Sequence, residues 1–186
     1  MDLEDKVTDP VYRLCVYEAG HALVARALGK KILRVRMLPR PPETVTDKVF
    51  RSNDWGSFYA VLEERALELF GGQLAEDIVC GSATCCAGDI SRIDELTRIM
   101  AGLGDGNEGA EDIYFRLEAQ ADAIFREPPY QEAIIPLADY LFDCDSAGKL
   151  EIAGPAIEDL IDCFAPRPEP DSEGGLRGLL RRLKTG

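Results

Sequence analysis

The sequence predicts a mainly α-helical domain with a small strand element near its N-terminus. Three observations carry that expectation. Helix-start and helix-stop residues bracket long stretches of apolar periodicity, only residues 32–38 alternate as a strand does, and most Gly and Pro residues fall between these stretches.

The elements follow in chain order. Asp9-Pro10 joins an N-cap acceptor to a proline suited to the first helical position, and Gly29 followed by Lys30-Lys31 supplies a stop. A helix is expected between them, to about Leu28, and its nearly all-round apolar surface places it in the core. In residues 32–38, Leu33, Val35 and Met37 alternate with Arg34 and Arg36, the pattern of a half-solvated strand, which Pro39, Pro41 and Pro42 end. Residues 43–54 are polar without a period and read as a loop, with at most a short edge strand over 45–50.

A second long helix is expected from Asn53 or Asp54 to Gly81, with Gly71-Gly72 inside it. Such a pair costs roughly 2 kcal/mol in helix propensity, so close packing against another helix is the expected reason for it. Residues 82–88 read as a loop and Asp89 as the N-cap of a helix running to about Gly102-Leu103-Gly104. A glycine-rich acidic connector, 104–109, leads to an amphipathic helix over 110–126. Pro128-Pro129 restarts the chain into a helix over 130–142, residues 145–148 read as a turn, and Gly154-Pro155 opens a last short helix through Ile157, Leu160 and Ile161.

Residues 166–175 are rich in Pro, Glu and Ser and read as a linker. Beyond them Leu176, Leu179, Leu180 and Leu183 interleave with Arg177, Arg181, Arg182 and Lys184, a basic amphipathic pattern. The expected organisation is therefore one domain over 1–165, a linker over 166–175 and a basic tail over 176–186.

At 186 residues and 46% hydrophobic, the chain is long enough for one well-buried core. Its formal charge of −13 argues against nucleic acid as a partner, because phosphate contacts need clustered Lys and Arg. There is no signal-peptide pattern at the start and no apolar run near the ~20 residues of a membrane span. A cytoplasmic protein is expected, with membrane contact only through the 176–186 tail. Six cysteines without a C-x-x-C pair read as reduced thiols, neither a disulfide scaffold nor a zinc ribbon.

The stretch Tyr17-Glu18-Ala19-Gly20-His21 differs by one side chain from the helical zinc motif H-E-x-x-H. In that motif two histidines four apart share a helix face and hold one metal, while the glutamate acts on the metal-bound water. Here Tyr17 stands in the first histidine position and His21 is the chain's one histidine. A catalytic zinc needs a third protein ligand, which must come from Asp, Glu, Cys or Tyr. Cys85 and Cys86 read either as thiolate donors to such a site or as plain loop thiols.

The residues around this stretch resemble the FtsH-type zinc peptidases, the proteolytic domain of membrane-bound ATP-dependent proteases. Tyr17-Glu18-Ala19-Gly20-His21-Ala22-Leu23 resembles that family's H-E-A-G-H-A stretch. Leu69-Phe70-Gly71-Gly72-Gln73-Leu74-Ala75-Glu76-Asp77, then Gly81 and Thr84, is similar to its L-L-G-G-R-x-A-E-E and G-x-x-T. The resemblance covers roughly residues 10–162. It implies a helical peptidase domain, zinc as the metal, Glu18 as general base and His21 as a ligand. Asp89 falls on the family's aspartate ligand, at the head of a helix. The departures are Tyr17, a rebuilt loop after Pro39-Arg40, and the lack of an ATP site or membrane helices, so any ATPase would be a separate partner.

A phenol must lose its proton to bind zinc well, which costs about 4 kcal/mol at pH 7 from an ordinary pKa near 10. The reading preferred on this ground is a pseudopeptidase, metal-impaired or non-catalytic, that binds a polypeptide or a partner protein. One alternative is an active zinc metalloendopeptidase in which Tyr17, His21 and Asp89 hold the metal and Glu18 is the base. Another is an adaptor acting through its acidic body and basic tail.

Overall fold

Helix α2, Pro10–Ala27, is the element on which the others are laid. The Asp9 carboxylate caps it, accepting from the N–H groups of Val11 and Tyr12, and Pro10 occupies its first turn. Residues 15–20 and 22–28 are all buried. A helix without a polar face is stable only when neighbours surround it, and here two long helices and a small sheet do so.

The computed structural model describes residues 2–48, 52–104, 106–165 and 167. The expected linker and basic tail lie outside the described residues, apart from Arg167. A short α1, Leu3–Lys6, precedes α2 and was not foreseen. Strands β1 (Ile32–Arg36) and β2 (Glu43–Thr46) follow, then helices α3 (Trp55–Cys80), α4 (Ala87–Leu103), α5 (Ala110–Arg126) and α6 (Pro128–Ser146), strand β3 (Glu151–Ala153) and α7 (Gly154–Asp162). The fold is mainly α, with one antiparallel sheet of order β2-β1-β3.

Several expectations need correction. Leu33 is exposed while Ile32, Val35 and Met37 are buried, because a β-bulge between Ile32 and Arg34 turns Leu33 outward. Strand β2 begins at Glu43, earlier than the 45–50 segment expected, since Val35 and Arg36 pair with Thr44 and Glu43. Strand β3 has only three residues, too few to show a period, and its place is set by pairing with β1. Helix α6 starts at Pro128 and takes in Asp145 and Ser146. Its turn lies one residue further on, where Gly148 has φ 73°.

The glycine pair in α3 marks the crossing with α2. A methyl group at Gly71 would lie 2.6 Å from the Gly20 carbonyl oxygen, and one at Gly20 would run into the Gly71 carbonyl. The two backbones therefore touch. Such an approach costs helix propensity at both positions and recovers it in close packing along the whole interface.

Candidate functional site

Tyr17, Glu18 and His21 project from α2 toward the start of α4 and the edge strand β2. Asp89 is not the N-cap of α4, as expected, but its third residue; Cys86 holds the cap position and makes no side-chain cap bond. The Asp89 carboxylate is thereby free to point across to α2. Tyr17 Oη donates to Asp89 Oδ2 at 2.7 Å, and His21 Nε2 lies 3.2 Å from the same oxygen. The Tyr17 and His21 rings meet edge to face, with centroids 4.6 Å apart.

The far side of the histidine ring is also occupied. His21 Nδ1 lies 2.6 Å from the Glu68 carbonyl oxygen, which can only accept. An acceptor oxygen thus faces each ring nitrogen. Burial opposes a positive charge on the ring, but the Asp89 carboxylate, Glu18 and the Glu68 carbonyl together hold the histidine above its ordinary range. Burial likewise disfavours ionised Asp89, and the bonds from His21 and Tyr17 overcome it, leaving this carboxyl below its ordinary range. Burial and the Asp89 charge both push the Tyr17 phenol well above its ordinary value.

Glu18 is buried beside this group, and its Oε2 accepts from the Thr44 hydroxyl at 2.6 Å. Burial raises its pKa, with His21 and Thr44 offsetting part of the rise. Gly72 lies behind the two rings: a methyl there would come within 2.7 Å of both His21 and Tyr17. One glycine of the pair therefore admits α2 and the other admits the site's side chains.

The loop that delivers Asp89 is tied down by Glu76. This fully buried carboxylate accepts from Arg13 Nε at 2.9 Å, from the Thr84 N–H and hydroxyl at 2.9 Å each, and from the Cys85 N–H at 3.0 Å. Burial alone would raise its pKa, but these donors hold it below the ordinary range. Glu76 and Thr84 come from the two halves of the second motif noted in the sequence, so its spacing reflects one carboxylate closing one loop. Cys85 faces Glu76 Oε1 at 3.5 Å, and burial and that charge push its thiol up to about 11. Cys86 is raised too, chiefly by burial. Both shifts favour the thiol form in the absence of a metal.

Tyr17, Glu18, His21, Cys85 and Asp89 line a cleft of about 340 Å³, with Pro41, Pro42 and Thr44 also on its wall. The sequence showed no sign of Thr44 or of the Glu68 carbonyl, because both act through tertiary contact.

The donor set can be tested against zinc. Ligands bound tetrahedrally at about 2.0 Å sit roughly 3.3 Å from one another. Tyr17 Oη and Asp89 Oδ2, at 2.7 Å, are in hydrogen-bond contact instead. The raised phenol pKa also disfavours the phenolate that zinc would need. Among the described residues no group of three His, Cys, Asp or Glu side chains is placed to hold a metal. As arranged, Tyr17 and Asp89 stand closer together than two ligands of one zinc would.

No protein-family model matches the chain. It is 35% identical over 108 residues to the ATP-dependent zinc metalloprotease FtsH 4 of Sorangium cellulosum (strain So ce56). The likeness is to an FtsH-type metalloprotease. It supports a peptidase-like domain, yet the match takes in 53% of this chain and only 17% of the relative's length. Among the described residues no helix is long and apolar enough to cross a membrane.

Proposed function

We propose that this chain is a degenerate FtsH-type peptidase domain that binds polypeptide in its cleft without hydrolysing it. The observation that carries the reading is the convergence of Tyr17 and His21 on one oxygen of Asp89. Tyr17 and Asp89, which a shared zinc would hold roughly 3.3 Å apart, are closed to hydrogen-bond contact, and His21 lies against the same oxygen. In this reading Asp89 orients the two rings, and Glu18 is a protonated or hydrogen-bonded floor group with no metal-bound water to act on.

Binding is supported by what surrounds the cleft. Strand β2 is an edge strand, paired among the described residues with β1 alone, and it carries Thr44 at the cleft wall. An extended peptide can add to such an edge through main-chain hydrogen bonds and rest side chains in the cleft. The relative's name joins ATP dependence to zinc proteolysis. For this chain any ATPase is proposed as a separate partner.

The test is zinc content after purification without added metal, paired with cleavage of an unfolded protein with and without chelator. No stoichiometric zinc and no chelator-sensitive cleavage are expected. Stoichiometric zinc with chelator-sensitive cleavage would overturn the reading. Tyr17→His removes the phenol that holds Asp89 and adds an imidazole donor, so zinc uptake should appear in that variant.

A further inference from the structure

Three guanidinium groups from three different elements line the same cleft: Arg36 of β1, Arg65 of α3 and Arg92 of α4. The protein around them is acidic, with 34 Asp and Glu against 21 Lys and Arg. Three of the cations are thus gathered at one cavity of a chain whose overall field repels anions. Acidic residues pair two of the three, Arg36 with Glu43 and Arg65 with Glu68, and leave Arg92 without an acidic partner among the described residues. Asp89 is engaged by Tyr17 and His21, Glu18 is buried under Thr44, and Glu43 is taken by Arg36.

The arginines themselves are only partly used. Arg36 reaches Glu43 through Nη2 alone at 3.0 Å, and Arg65 reaches Glu68 through Nη1 alone at 3.1 Å. A guanidinium carries five N–H donors in a fork matched to carboxylate, so each retains donors for a ligand. Arg92 is exposed, one turn beyond Asp89, and has no hydrogen-bond or ion-pair partner among the described residues. The unmet need of this rim is for acceptor oxygens carrying negative charge.

We propose that the cleft selects acidic segments of polypeptide, with a ligand carboxylate received by Arg92 and flanked by Arg36 and Arg65. This rests on the reading of the cleft as a polypeptide site and adds the class of sequence it takes. The carboxylate is either an Asp or Glu side chain or the C-terminus of the bound chain; the chemistry of recognition is the same.

The test is fluorescence anisotropy on the full chain with labelled peptides of about ten residues, long enough at ~3.3 Å per residue to cross the cleft. One carries alternating glutamates and an amidated C-terminus, a second has glutamine in their place, and a third is the glutamine peptide with a free C-terminal carboxylate. The glutamate peptide should bind about tenfold more tightly than its amidated glutamine counterpart at low salt, with the advantage shrinking as salt rises. A gain by the third peptide assigns the C-terminus as the source.

Arg92→Glu should abolish the preference, Arg92→Lys should keep part of it, and Arg98→Glu should leave it intact. Arg98 lies on the same helix but pairs with Asp94 and does not line the cleft. Equal binding of the glutamate and amidated glutamine peptides overturns the acidic selection and leaves polypeptide binding standing. No binding by any peptide overturns both. An effect of Arg98→Glu equal to that of Arg92→Glu would reduce the preference to net charge and overturn the proposal. Chelator-sensitive cleavage of a peptide would instead overturn only the non-hydrolytic reading.

Discussion

Replacing Gly71 with alanine probes the crossing on which the site is built. On an exposed helix the change stabilises by roughly 0.8–1 kcal/mol, because alanine loses less backbone entropy. At position 71 the added methyl would sit 2.6 Å from the Gly20 carbonyl oxygen and 2.7 Å from Val24 Cγ2. Comfortable contact is about 3.5–4.0 Å, so roughly 1 Å of overlap must be relieved. Val24 is β-branched and held to one rotamer in its helix, and the Gly20 carbonyl is main chain, so neither can turn aside.

The helices must therefore move apart, at an over-packing cost of about 1–3 kcal/mol that outweighs the propensity gain. A net loss of about 1–2 kcal/mol is expected, which for a chain of this size lowers Tm by roughly 2–8 °C. Urea and thermal unfolding measure it. Gly102→Ala is the control: Gly102 is exposed in α4, nothing lies within 4 Å of an added methyl, and stability should rise by up to about 1 kcal/mol. Equal stabilisation by both substitutions would refute the close approach of α2 and α3.

Other expectations follow from the same contacts. Tyr17→Phe removes a hydrogen bond to a charged carboxylate and should lower stability by about 1.5–3 kcal/mol in urea unfolding, while metal content stays unchanged. A loss of bound metal would mark Tyr17 as a ligand. Glu76 has a folded-state pKa below its unfolded value near 4.3, so its stabilisation is full above that value and lost as pH falls through the lower one. Glu76→Gln should lose about 3–5 kcal/mol at pH 7 and show a flatter decline of stability in acid than the parent protein. Arg26 is buried, ion-paired with Asp162 and 3.9 Å from Glu158, both in α7. Arg26→Ala should cost about 3 kcal/mol and show first as faster amide exchange in α7.

Much of the fold was legible because the signals are local. Asp9-Pro10 and Gly81 act within one turn of themselves, and the bounds of α2, α3 and α5 follow from such residues. The elements that escaped are those whose stability comes from elsewhere. Strand β3 exists because β1 offers it an edge, and Leu33 is exposed because a bulge in that pairing reverses it. At the site, the helical spacing of Tyr17 and His21 placed them together, and the resemblance pointed to Asp89. The arginines and Thr44 come from separate elements and carry no motif, so nothing in their neighbourhood along the chain marked them.

The sequence by itself determined that α2 would be buried and would bring Tyr17, Glu18 and His21 to one place. Helical geometry and an all-round apolar surface suffice for that. Only the tertiary structure decided what those side chains do. Hydrogen-bond partners and proton positions depend on atoms from α3, α4 and β2 arriving within 3 Å or so. Here Asp89 accepts a hydrogen bond from the Tyr17 hydroxyl and lies against the His21 ring, with the Glu68 carbonyl behind it. A stretch that reads along the chain as a zinc motif short of one ligand is, in three dimensions, a closed hydrogen-bonded group at the floor of a cleft.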